Sequence, residues 1–191
     1  MLYIKRLEKG FVTTIYNEHL IKDFIPEEQK PLKIITNLME RELYVCYGLF
    51  HDEKFVAYAF FSKAVGEKNI LIDYLSVCKE YRNCGYGSKF LELLKGELIE
   101  YDSIIFEVES GRDAIEEQER MICQRRLEFY RRNGLRDSNL HVSLYGIDLL
   151  IMYLPLQQVP TDDTLDVALD AIYDTLFGEE IHRKHIIVSR K

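Results

Sequence analysis

One stretch constrains this chain more than any other: Leu75-Ser-Val-Cys-Lys-Glu-Tyr-Arg-Asn-Cys-Gly-Tyr-Gly-Ser88. An apolar strand-like run ends there, a short polar loop follows, and two glycines open a helix. That helix carries Phe90, Leu91, Leu94 and Leu98 on one face. A helix start leaves several backbone N–H groups without partners and presents the positive end of the macrodipole. Gly85 and Gly87 let an anion approach the backbone closely, and Arg82 adds a fixed positive charge, so the stretch has the makings of a phosphate site. It is not a dinucleotide fingerprint, because Phe90 stands at the third glycine position, and it lacks the Gly-Lys-Ser/Thr of a P-loop. A glycine-rich turn with an incidental arginine is the other reading of these residues taken alone.

The surroundings predict a mixed α/β chain. Leu2–Leu7 alternates as a short strand would, and Tyr16–Phe24 and Pro31–Leu43 read as helices separated by Pro26. Three runs rich in Val, Ile, Phe and Tyr follow, at 44–50, 54–63 and 69–77, with breaks short enough for an antiparallel meander. A helix over about 85–100 and a strand over 103–109 complete a unit with the lengths of a parallel crossover. A long helix is expected from about Ala114 to Arg132, ending at Asn133-Gly134, and one or two strands over 141–154. After Pro160 comes a separate amphipathic helix, capped by Thr161 or Asp162 and ended by Gly178. Its apolar positions are Leu165, Ala168, Leu169, Ile172 and Leu176, a face that something must cover.

Composition excludes several classes. At 191 residues and 47% hydrophobic the chain supports one domain, or one domain with an appendage, and is neither disordered nor fibrous. The expected division is a main domain over 1–156 and an appendage over 157–191, an acidic helix and a basic tail. No apolar run approaches the ~20 residues that span a bilayer, and 1–7 lacks a signal-peptide core. Four scattered cysteines without metal-ligand spacing fit a reduced, cytoplasmic setting, and no metal site is expected. The net charge of −7 argues against bulk nucleic-acid binding.

The run Arg82-Asn83-Cys84-Gly85-Tyr86-Gly87 matches the pattern Arg/Gln-x-x-Gly-x-Gly/Ala. It resembles the acetyl-CoA pyrophosphate loop of the GNAT superfamily of N-acetyltransferases. A second block, Phe129-Tyr-Arg-Arg-Asn-Gly-Leu135, is similar to the family's Tyr-x-x-x-Gly-Phe element, with Leu135 for the usual Phe. The order strand–loop–helix–strand–helix–strand is also the family's. The likeness covers about 2–154 in layout and is motif-specific over about 70–135. It implies a central mixed, mostly antiparallel sheet, splayed at the cofactor strand and flanked by helices, here with an extra C-terminal amphipathic helix.

The resemblance also implies a chemistry. The pantetheine arm of acetyl-CoA would pair with Leu75, Ser76 and Val77. The main-chain N–H groups of Arg82, Asn83, Cys84, Gly85, Tyr86, Gly87 and Ser88 would hold the pyrophosphate. Transfer would be direct, in a ternary complex: a primary amine attacks the thioester and no protein nucleophile is acylated. The protein must then help make a neutral amine, polarise the carbonyl and protonate the thiolate. Tyr130, four residues before Gly134, is the family's place for the acid, and a phenol can donate to sulfur; a tyrosine packed in the core is the alternative. Glu107 and Glu109, two apart on one strand, point to one face and can raise each other's pKa, as a base would need. A solvated strand face is the bland alternative, and Glu107 matches the family position more closely. The interval from Glu107 to Tyr130 is 23 residues, about ten longer than in compact relatives. The long helix this implies resembles bacterial members.

The expected acceptor is a small-molecule amine, with no nucleic-acid or membrane partner and a homodimer left open. A peptide acceptor, or a module that binds acyl-CoA or a partner without catalysis, are the rival readings. Cys84 reads as a spacer, His182 and His185 as part of a basic surface tail, and His19, His51 and His141 as solvated or core residues. The charge says little about the acceptor. Residues 161–180 hold seven acids and no base, and 181–191 four bases and no acid. The charge is thus concentrated in the appended helix, whose acidic face is expected to be solvated.

Overall fold

A computed structural model describes residues 1–111 and 116–190. The chain divides into two compact units, Met1–Ser62 with Asp73–Glu97 and Lys63–Ile72 with Leu98–Lys191. Among the described residues there are eight strands, mostly antiparallel, with helices between them, so the class is mixed α/β.

In the first unit β1 (Leu2–Arg6) pairs antiparallel with β2 (Tyr44–His51), and β2 with β3 (Lys54–Ser62). The β2–β3 hairpin turns on Asp52 and Glu53, both at positive φ (46° and 65°), a turn whose twist matches the flanking strands without using glycine. The C-terminal half of β4 (Asn69–Val77) runs beside β3, and Cys78 N–H donates to the Val56 carbonyl at 2.8 Å. Helical backbone runs from Lys9 to Asp23: α1 (Lys9–Ile15), a π-helical segment (Tyr16–Leu20) and α2 (Ile21–Asp23). It begins seven residues before the expected Tyr16. Gly10, Thr13 and Thr14 are poor helix formers, yet Val12 and Ile15 are buried, and both threonines bond back to carbonyls four residues earlier. Then come α3 (Leu32–Glu40), with Pro31 before its first turn, and α4 (Tyr86–Glu97), which buries Phe90, Leu91 and Leu94.

In the second unit the first half of β4 pairs parallel with β5 (Ser103–Glu109), from Asn69↔Ser103 to Ile72↔Phe106, where the ladder stops. The order continues β5, β7 (Ile147–Pro155), β6 (Arg136–Leu144), β8 (Ile186–Arg190), all antiparallel. Helix α5 covers Glu117–Arg132; its expected beginning near Ala114 lies outside the described residues. Its end is a Schellman motif, in which Leu135 N–H reaches the Tyr130 carbonyl and Gly134 N–H the Arg131 carbonyl. Gly134, at φ 94°, makes that reversal without a Cβ penalty.

Helix α6 (Asp162–Phe177) is capped by Thr161, whose hydroxyl accepts from Thr164 N–H at 3.2 Å. Its stripe Leu165, Ala168, Leu169, Ile172, Tyr173 and Leu176 is buried, with β6 among the elements it packs on. Where the sequence suggested a basic surface tail, the chain instead forms α7 (Glu179–His185) and then β8, which pairs with β6. Alternation at Ile186 and Val188 is too short to announce a strand; the exposed edge of β6 makes it one. The acidic face of α6 is partly engaged. Arg190 pairs with Asp163 (2.6 Å) and Asp166 (3.3 Å), and His182 sits 2.7 Å from Asp174.

Candidate active site

The site residues of the first unit lie on one continuous strand–loop–helix. Leu75, Ser76 and Val77 end β4 half-buried, and a 3-10 turn over Lys79–Tyr81 leads into the loop. Asn83 and Gly85 both take positive φ (62° and 81°), and α4 starts at Tyr86. The first bond of its ladder runs from Lys89 N–H to the Gly85 carbonyl, so the preceding N–H groups lack intrahelical acceptors. A Cβ at Gly85 would meet no protein atom within 4 Å: the loop faces open space. Backbone donors at a helix N-terminus bordering open space suit a pyrophosphate.

The Arg82 side chain is a brace as well as a charge. Its Nε–H donates to the Val77 carbonyl at 2.9 Å and its Nη2 to Asp23 at 2.8 Å. Asp23 also accepts from Tyr58 (2.9 Å) and Ser76 (3.0 Å), so one carboxylate ties α2 to β3, β4 and the loop. Burial and the neighbouring Asp23 carboxylate push the Tyr58 phenol far above its ordinary range. Asp73 is a second hub, taking bonds from Tyr44 (2.7 Å) and Ser62 (2.9 Å) and pairing with Lys30 at 3.1 Å. The first residue of α4 is fastened too: the Tyr86 hydroxyl lies 2.6 Å from Nδ1 of His51, which the sequence left as an isolated histidine. Cys84 is exposed, as a spacer would be. Cys78 is buried 3.8 Å from His19, and burial holds its thiol at about 12, so it stays protonated and unreactive.

In the second unit Tyr130 is half-buried in the last turn of α5, its ring 5.2 Å from Phe106 and 5.5 Å from Phe129. Burial raises its phenol pKa and Arg126 opposes that, leaving the proton on oxygen at neutral pH. Glu107, next to Phe106, projects from the opposite face of β5 and accepts a hydrogen bond from the Tyr173 hydroxyl of α6. Glu109 meets different partners, Arg126 at 3.5 Å and the Cys123 thiol at 3.9 Å, both on α5. The two carboxylates thus reach separate helices instead of forming one pair. At this end of β5 a cleft of about 430 Å³ is lined by Glu109, Glu119, Cys123, Arg126 and Asp148, among others.

Asp23 and Tyr173 were not visible in advance. Each lies 35 or more positions from its partners, and neither belongs to a motif.

Fold and loop together define an acyltransferase of the acyl-CoA-dependent type. The acetyltransferase (GNAT) family model matches residues 12–116, more than half of the chain, and the protein belongs to that family, an acetyl-CoA-dependent N-acetyltransferase. Solved structures share the fold. A chain assigned to the GNAT family, from Bacteroides thetaiotaomicron, superposes with a TM-score of 0.72 at 19% identity, covering 92% of this chain and 98% of that one. The ribosomal-protein-S18-alanine N-acetyltransferase of Escherichia coli gives 0.60 at 20% identity, covering 85% and 98%. Mutant forms of the spermidine/spermine N-acetyltransferase of Vibrio cholerae give 0.60 at 12% identity, covering 87% and 99%. No curated protein sequence is significantly similar to the chain. Among the described residues no group of His, Cys, Asp and Glu could hold a metal ion, and no helix is long and apolar enough to cross a membrane.

Proposed function

We infer that this protein transfers the acetyl group of acetyl-CoA directly to the primary amine of a small molecule. The observation that carries the reading is the loop at the start of α4, where left-handed Gly85, bordered by open space, precedes N–H groups that lack intrahelical acceptors. Acetyl-CoA, as co-substrate, supplies the thioester. Leu75, Ser76 and Val77 would receive its pantetheine arm, and Arg82 to Ser88 its pyrophosphate. Tyr130 keeps its proton at neutral pH and is the proposed donor to the departing thiolate. Glu107 is the proposed base, withdrawing a proton from the attacking amine directly or through water. A small cationic acceptor is supported by the cleft at the end of β5, whose size suits a small ligand and whose Glu109, Glu119 and Asp148 outnumber Arg126. Four free cysteines, three of them buried, support a cytoplasmic setting.

Two measurements test this. Isothermal titration should register acetyl-CoA binding that Gly85→Glu abolishes, because a carboxylate would stand where the phosphates approach. A CoA-release screen over polyamines, aminoglycosides, amino acids and peptides should find a small amine, with Tyr130→Phe lowering kcat about tenfold or more at nearly unchanged acetyl-CoA affinity. Absence of binding, or binding indifferent to Gly85→Glu, overturns the reading. Activity on peptides alone moves the acceptor to the protein class.

A further inference from the structure

Helix α6 carries one polar atom into the sheet it covers. Tyr173 is 1% exposed, within the apolar stripe of the helix, and its hydroxyl donates to the Glu107 carboxylate. Its ring is held on two sides, by Phe177 at 6.3 Å and His182 at 5.5 Å. His182 is itself nearly buried and fixed by Asp174 at 2.7 Å and Asp170 at 3.4 Å. A packed tyrosine has two side-chain torsions and little room to change them. A half-buried glutamate has three, the last of them broad. The contact therefore transfers the rigidity of the helix to the carboxylate.

We propose that Tyr173 is a positioning residue for acetyl transfer, contributed by the C-terminal helix, which fixes the orientation of the Glu107 carboxylate through its hydroxyl. This rests on the reading of Glu107 as the base. It gives the segment after Pro160 a part in turnover as well as in stability. Tyr173 needs no contact with substrate, because it acts through Glu107.

A double-mutant cycle decides it, using the full chain and the amine found by the CoA-release screen. Tyr173→Phe removes one oxygen and should lower kcat about tenfold, the size of one hydrogen bond to a charged group. The acetyl-CoA affinity measured by titration should stay within about twofold. Glu107→Gln alone should lower kcat by about a hundredfold or more. In the Glu107→Gln background, Tyr173→Phe should add nothing, because the group it orients is gone. Equal loss from Tyr173→Phe in both backgrounds, or no loss in either, overturns the proposal while leaving the base intact. Wild-type turnover by Glu107→Gln removes the base, and the proposal with it. If Tyr173→Phe does not fold, 3-fluorotyrosine at position 173 keeps the hydroxyl and supplies a fluorine resonance. Glu107→Gln should shift that resonance, and an unmoved signal overturns the proposal.

Discussion

Asp23 receives hydrogen bonds from Arg82, Tyr58 and Ser76, which lie 35 to 59 positions away. Its carboxylate is 13% exposed while the Arg82 guanidinium is 46% exposed, so the carboxylate is the more costly partner to strand or remove. Asp23→Ala should leave two hydroxyls short of an acceptor and release the brace on the loop. We expect about 3 kcal/mol of lost stability in denaturant melts, and acetyl-CoA binding weakened about tenfold by titration. Unchanged affinity would mean that the loop holds its shape without Arg82. Gly85 was legible in the sequence because its role is local: a left-handed residue before a helix start. Asp23 was not, because a hydrogen-bond hub is a property of three-dimensional neighbours. Tyr130 falls between the two. The Schellman motif that follows its helix is readable in the spacing Tyr-x-x-x-Gly, whereas its contact with Phe106 is not.

Elements show the same division. The strands at 44–51, 54–62 and 69–77 and the strand at 103–109 fall where β-branched and aromatic runs placed them, within a residue or so. Helix α6 likewise follows its stripe and its Thr161 cap. The helix at Lys9 and the strand at Ile186 were missed: the first forms against its local preference, the second is too short to announce itself, and each is held by what it packs on or pairs with. The stripe of α6 provides the test of how firmly the segment after Pro160 is held. Leu169 is fully buried, and Leu169→Ala should cost about 2–5 kcal/mol through lost burial and an unfilled cavity. Thermal melts should register this as a lower midpoint. A cost near zero would mean that the helix detaches readily.

Over the whole molecule, the buried phenols set the response to alkali. Burial raises Tyr44, Tyr58 and Tyr74 above the usual tyrosine range, and nearby carboxylates, Asp73 for Tyr44 and Tyr74 and Asp23 for Tyr58, add to it. Below about pH 10 these groups are neutral in both folded and unfolded chains, and their contribution to stability is complete. Above it the unfolded chain releases protons that the folded chain retains, so stability falls as pH rises. The loss is about 1.4 kcal/mol per phenol for each pH unit. Melting midpoints should drop steeply between about pH 10 and 12, and tyrosinate absorbance from these groups should appear together with unfolding. Tyrosinate formed in the still-folded protein would contradict the burial. The net charge of −7 belongs mainly to α6, where Arg190 answers part of it.

Periodicity, caps, glycines and turn spacing act within a few residues, so the chain alone sufficed for most of the strand and helix pattern, the loop proposed to hold the pyrophosphate, and the family. Packing and long-range hydrogen bonds act between residues that only folding brings together. They decided what braces Arg82, which partner each carboxylate of β5 finds, and that α6 reaches the candidate base through Tyr173.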